Sequence, residues 1–446
     1  MAHSISHRTP SAQTVTDDVP DFSANFLDKD PRTSKMRSIY LQIMGKGVLM
    51  TIVAVMAVLS IYWGALWQTG NDIKNLTGFI IDFDGGAIGQ TVTQTFLGVN
   101  GKPAQLTWVT VPASNFPGGE SDVIDAVVQE KCWAAVAINP NASANLAKAI
   151  ANADATYNGA LAVTGYAAEA RNENSYPLFI LPNIQTPMST AMQTFAIQNA
   201  ASLATSRNVT QLISAAPSVV LQPVGFVMNN VRPFDVPVAS AVDFVGLIYL
   251  LIISFIMALM NFNAREASGM NKVLRTSSLI RLRIIVPFIA YFFLSWFYSL
   301  LSLAFQVPFS RKFGHAGFVI YWAMSYLAMC ALGLAIEALV TLLTPRFIPF
   351  FLITWIIVNV SVCFYPIEIL PGVFKYGYAS PFYNVSRTVR TIVFETRNNL
   401  GLNFGVQFAW IGISLITVTL FQLFMRRSVI RAARSNARQQ KDEKEV

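Results

Sequence analysis

Three places in the chain hold residue types that could do chemistry. The first is Asp82-Phe83-Asp84-Gly85-Gly86, where two carboxylates one residue apart offer oxygens to a cation. Calcium takes six to eight oxygen ligands and no full ligand loop follows, so the competing reading is a strand ending in an Asp-Gly turn. In that reading Asp84 caps the next helix, and Asp82 serves either purpose. The second is Glu337, a carboxylate about two turns inside the end of an apolar run. Such a group costs at least about 2.5 kcal/mol at a bilayer centre and less toward the interface, so it must face other helices and pair or take up a proton. Arg346 or a basic residue of 263–283 is the structural partner; proton coupling is the competing role. The third is Asn359, with Ser361, placed to hydrogen-bond across helices at a benefit of about 0.6 kcal/mol.

Other chemistry lacks its residues. The histidines are His3, His7 and His315, and no G-x-S-x-G or clustered carboxylate pair exists, so no catalytic residue is assigned and the chain does not read as an enzyme. Cys132, Cys330 and Cys363 lie in separate regions without a C-x-x-C pair, so neither metal nor cofactor is expected. Gly98-Val99-Asn100-Gly101-Lys102 is too short for a P-loop. If ATP drives the protein, the ATPase is a separate partner docked at 263–283.

The elements that carry these residues are set by composition. Of 446 residues, 53% are hydrophobic and 13% charged, against roughly 25% charged in soluble domains, and the mean hydropathy is +0.46. The net charge of +8 sits at the ends of apolar runs, which is a topology signal and not a nucleic-acid footprint. Six runs are long enough to span a bilayer: Val48–Leu66, Phe244–Phe262, Ile284–Phe305, Phe318–Leu343, Phe347–Tyr365 and Phe404–Met425. The expected organisation is a disordered tail with an interfacial helix over 1–46 and a first span over 47–67. An extracytoplasmic α/β domain follows over 68–243. A five-helix bundle over 244–425, with an amphipathic external loop at 366–403, and a basic tail over 426–446 complete it.

Arg265, Lys272, Arg275, Arg281 and Arg283 after the second span, with the basic N- and C-terminal flanks, put both termini in the cytoplasm. Glycosylation acceptor patterns at Asn75, Asn141, Asn208 and Asn384 then fall on the far side, as expected of a plasma-membrane glycoprotein. Within 68–243, strands are predicted at Phe79–Phe83, Leu106–Val111, Trp133–Ile138 and Tyr176–Leu181. Helices are predicted from Ile88, over Val123–Glu130, from a Ser143 cap to Ile150, and over Ser189–Ser206. Val389, Ile392 and Val393 share one face of 386–394 with Arg387 and Arg390 off it, the pattern of an interfacial helix. Tyr291, Trp296, Tyr298, Trp322, Tyr326 and Trp355 either line a path for an apolar or cationic compound or serve as packing and interface belt.

Ile80-Ile81-Asp82-Phe83-Asp84-Gly85-Gly86, Ala134 to Asn141, Glu169 to Asn172, Asn230 to Asp235 and Pro381 to Arg390 together resemble a family of fungal membrane proteins related to the nitrosoguanidine-resistance protein. More distantly the chain resembles bacterial phage-infection-type proteins of the type 2 ABC-permease superfamily. The resemblance covers roughly 35–430 and implies a permease-like six-helix arrangement. It also implies a part in resistance to toxic compounds, by export or by altering the membrane. The expected function is a transporter, or transport component, for small toxic or lipophilic compounds; the alternative is a non-transporting organiser of lipids or partners. Expected partners are membrane lipids, a small lipophilic or cationic ligand, and a second copy or an ATPase.

Overall fold

A computed structural model describes residues 24–204 and 209–445, without the side chains of 344–346, 433–434 and 436–445. Most of the tail expected to be disordered, and Asn208, lie outside the described residues. The chain divides into two compact units, Met1–Ala57 and Val58–Val446. In the first, helix α1 (Pro31–Ala54) starts with proline at its first turn and an Asp30 side chain accepting from Thr33 N–H at 3.0 Å. Arg37 donates to the carbonyls of Phe26 and Asp28. A separate interfacial helix before the first span was expected; instead the helix continues through the apolar run, with a π turn at Val55–Leu59.

In the second unit, five strands form one sheet: β1 (Thr77–Asp82), β2 (Thr107–Thr110), β3 (Ala134–Ile138), β4 (Val163–Ala167) and β5 (Phe226–Asn230), in the order β2-β1-β3-β4-β5. Every pairing is parallel except β3 with β4. Alternation sends Ile80, Ala134, Val136 and Ile138 into one core and Ile81, Ala135 and Ala137 into another on the opposite face. The first core is covered by α2 (Ala87–Leu97), α4 (Ala142–Asn152) and α5 (Leu181–Ala204), the second by α3 (Glu120–Val128). The result is a three-layer α/β domain.

The first three predicted strands are present. The fourth, Tyr176–Leu181, is instead a π turn, Tyr176–Ile180, leading into α5. Pro177 explains this: it has no N–H for a sheet ladder but suits the first turn of a helix. The remaining strands are β4 and β5, the latter an edge whose residues are only partly buried.

Gly89 in α2 shows how tightly β1 feeds its helix. A Cβ there would lie 2.5 Å from Asp82 Cγ. Helix propensity favours alanine by up to about 1 kcal/mol, but the Asp82 carboxylate is pinned by two backbone N–H groups. Gly89→Ala is therefore expected to destabilise by about 1–3 kcal/mol, read as a lower unfolding temperature of the purified full chain; an unchanged or higher temperature contradicts this packing.

The bundle consists of α6 (Val245–Ala267), α7 (Thr276–Ala304), α8 (Ala316–Val360), α9 (Pro381–Phe394) and α10 (Leu400–Glu445). Contacts show the path of the long α8. Tyr321 meets Ser302 at the end of α7, Glu337 meets Arg283 near its start, and Trp355 then meets Trp410 of α10. Arg283 also reaches Gln422, which at ~1.5 Å per residue lies about 18 Å along α10 from Trp410. Gly317 at the start of α8 faces Ile392 of α9, whose Thr388 meets Asn403 near the start of α10, so the segments 316–343 and 347–360 run in opposite directions against α10. Among the described residues, five helices are long and apolar enough to cross a membrane: Pro31–Leu66, Pro237–Ala267, Thr276–Ala304, Ala316–Leu343 and Leu400–Ala432; Phe347–Val360 is a shorter apolar helix.

Candidate functional site

Glu337 is fully buried where α6, α7, α8 and α10 converge. Its Oε1 lies 2.7 Å from Arg283 Nε and 2.9 Å from a terminal nitrogen of Arg265, and Asn261 donates to Oε2 at 3.4 Å. Arg283 also donates to Gln422 Oε1 at 2.6 Å and to the Glu337 carbonyl. Each helix contributes at least one polar side chain at this level, so the cluster fixes their relative heights. Arg265 and Arg283, read from sequence as flanking charges, are 4% and 2% exposed. They are a structural part of the bundle.

Next to this cluster opens a cavity of about 620 Å³, within the size range of small-ligand sites. Its wall is cationic at Arg265, Lys272, Arg283 and Arg426, acidic at Glu266, and apolar at Phe262, Leu279, Val340, Met425, Val429 and Ile430. None of the aromatic residues considered for a ligand path lines it. Phe292, Trp296, Phe318 and Trp322 pack edge-on against one another, and Tyr291 donates to the Ser254 carbonyl.

A second cluster joins the sheet domain to the bundle through α9. The pattern of an interfacial helix is present, but Phe382, Asn384 to Ser386 and Thr388 to Phe394 are all buried. Protein covers the polar face as well as the apolar one, because carboxylates from distant segments meet its arginines. Arg387 pairs with Glu130 at 2.6 Å, and Arg390 lies 2.5 Å from Glu173 and 2.9 Å from Asp243. The Arg390–Asp243 contact is an ion pair by distance, while both Asp243 oxygens lack an aligned hydrogen bond. Arg171 stacks 3.3 Å above the Trp133 ring, donates to the Cys132 carbonyl and approaches Glu368 at 4.0 Å. Asp243, the last residue of the 68–243 segment, is fully buried in this cluster.

Burial alone would raise the Glu130 carboxyl, but Arg171, Arg387 and Arg397 outweigh it and hold the group below its ordinary value. Glu173 is likewise lowered, burial being overcome by Arg390. A folded-state value below the unfolded one contributes stability above the unfolded value, near pH 4.3, that is lost as pH falls through the folded one. The purified protein should therefore keep its unfolding temperature through mild acid and lose it below about pH 4.3. Glu130→Gln should flatten that loss, and an unaltered acid profile in the variant would contradict the assignment.

The remaining sequence candidates have structural partners. Asp82 Oδ1 accepts from Asp84 N–H and Gly85 N–H, each at 2.9 Å. Asp84 accepts from the Ser143 N–H and hydroxyl, and the Ser143 hydroxyl accepts from Ile88 N–H. The two residues thus cap each other's helices: Ser143, expected at the start of α4, caps α2, while Asp84 caps α4. Asn359 Oδ1 accepts from the Ser380 hydroxyl and from Phe382 N–H at the start of α9. The Ser361 hydroxyl, just past the end of α8, donates back to the Ile357 carbonyl. Asn75 and Asn141 are exposed. Asn384 is buried, with its amide donating to the Tyr378 and Ser380 carbonyls, so the folded chain does not present it for glycosylation.

Several membrane-crossing helices joined to a small α/β domain define a multi-pass membrane protein. The chain belongs to the DUF3533 family, a family of proteins of unknown function, which it matches over residues 47–416. It is similar to an uncharacterized endoplasmic reticulum membrane protein of Saccharomyces cerevisiae, with 28% identity over 466 residues, covering 95% of this chain and 90% of the yeast protein. No solved structure matches. Neither name specifies a permease.

Proposed function

We propose that this is a six-span transporter, or transport component, for small lipophilic compounds, with both termini cytoplasmic and the sheet domain on the opposite side. The observation that carries the reading is the open cavity of about 620 Å³ between the bundle helices beside the Glu337 cluster. The opposed course of 316–343 and 347–360 supports six spans, and basic flanks at 263–283 and 426–431 support the orientation. The yeast relative's name favours the endoplasmic reticulum over the plasma membrane. With Arg265 and Arg283 turned inward, an ATPase docking at 263–283 would meet Lys272, Arg275 and Arg281.

A non-transporting organiser is the second reading, favoured by the ionic clamp at α9, which ties the sheet domain to the bundle around a pocket of about 40 Å³. Expression of the chain should lower accumulation of a labelled lipophilic toxicant, and Thr341→Trp, which fills the cavity, should abolish that effect. Accumulation unaffected by expression rules out the transporter. Purification in mild detergent separates the forms: a co-purifying ATPase identifies a permease, and lipid or scaffold proteins alone identify the organiser.

A further inference from the structure

We propose that the cavity at the basic end of the bundle binds a net-anionic phospholipid, with the phosphate held by Arg265 and Lys272 and the start of its acyl chain lying along Phe262 and Met425. This rests on reading the cavity as a ligand site and names what it takes.

Charge carries the first part of the argument. Two buried guanidiniums share one carboxylate, so the cluster has one positive charge in excess, and an uncompensated buried charge is costly. Orphaned atoms point to where the missing anion goes. Glu337 occupies one terminal nitrogen of Arg265, while Arg265 Nε, its other terminal nitrogen and the Thr341 hydroxyl have no hydrogen-bond partner among the described residues. All belong to side chains of the cavity wall. A phosphate offers several acceptor oxygens to such a set, and its charge balances the excess.

The rest of the wall decides between a lipid and a free ion. Phe262 and Met425, which line the cavity and end the apolar runs of α6 and α10, are half-buried. An apolar track therefore leads from the cationic pocket toward the spans, which an inorganic ion does not use. A volume of about 620 Å³ holds a headgroup and the first methylenes, leaving the chains to follow that track into the bilayer.

The test uses the purified full chain in mild detergent, followed by thermal unfolding and titration with dioctanoyl phosphatidic acid, dioctanoyl phosphatidylcholine or inorganic phosphate. Phosphatidic acid should raise the unfolding temperature and phosphatidylcholine and inorganic phosphate should not. Arg265→Gln, which leaves the Arg283–Glu337 pair balanced, should weaken phosphatidic acid binding about tenfold, the loss of one charge-assisted pair. Lys272→Gln, at an exposed position, gives the same reading should the first variant fail to fold. Equal stabilisation by inorganic phosphate overturns the lipid, and equal stabilisation by phosphatidylcholine or unchanged binding in the variants overturns the site. Binding as described without any transport sinks the transporter and leaves this inference standing; transport without phosphatidic acid binding does the reverse.

Discussion

Glu337→Ala lowers the stability of the protein by about 3–5 kcal/mol, the cost of breaking a buried ion pair and leaving the opposite charge behind. Two guanidiniums, each 4% exposed or less, then face each other across the vacated position. The same arithmetic ranks the neighbouring variants. Arg265→Met leaves the Arg283–Glu337 pair balanced and should be the mildest. Arg283→Met leaves Arg265 with Glu337 but also strands Gln422 Oε1 and the Glu337 carbonyl, so it should lie in between. Glu337→Gln keeps the shape but not the charge and should fall near Glu337→Ala. Unfolding temperatures in detergent, in the order Arg265→Met above Arg283→Met above Glu337→Ala, check the cluster. If Glu337→Ala were the most stable of the three, the carboxylate would not be the centre of this end of the bundle.

Arg390→Met acts at the other cluster with an expected loss of similar size, about 3–5 kcal/mol. One guanidinium there serves Glu173 of the sheet domain, Asp243 at the entry to α6 and the Ala170 carbonyl. Its removal leaves two carboxylates buried near each other with no cation between them. The damage should be directional, because Arg390 bridges the domain to the bundle while each half has its own apolar core. Hydrogen exchange should therefore quicken in α9 and 168–175 more than in β1 and β3. Uniform acceleration across the sheet would show that α9 supports the domain's core and not its attachment.

How much of this was legible in the chain depended on whether a feature was local. β1 and β3 are short continuous apolar runs and 106–111 alternates on a two-residue period, each bounded by turn residues, so local pattern is enough to define them. The segment 176–181 has strand-like apolar residues, and Pro177 was the local signal against a strand. Glu337 stands out as a carboxylate in an apolar run, and 263–283 as a stretch that could pair with it, but not which of its five basic residues do so. Arg265 and Arg283 occupy the sequence positions of topology-setting charges, and only the convergence of α6, α7 and α8 turns them inward. The same holds for α9: its amphipathic spacing is plain, yet whether Arg387 and Arg390 meet headgroups or protein depends on Glu130 and Glu173, more than 200 positions earlier in the chain. The cavity has no sequence pattern, because its walls come from four separate helices. The unpartnered atoms of Arg265 and Thr341 appear only when those helices are assembled.

The central claim, that the cavity beside Glu337 is where the protein handles its ligand, is tested most directly by reconstitution. The pure chain and its Thr341→Trp variant would be placed in phosphatidylcholine vesicles containing phosphatidic acid, and the movement of a fluorescent lipophilic compound across the membrane would be followed. The account predicts movement with the unaltered chain and its loss when the cavity is filled, with the variant still folded by its unfolding temperature. Equal movement through the filled variant would contradict it.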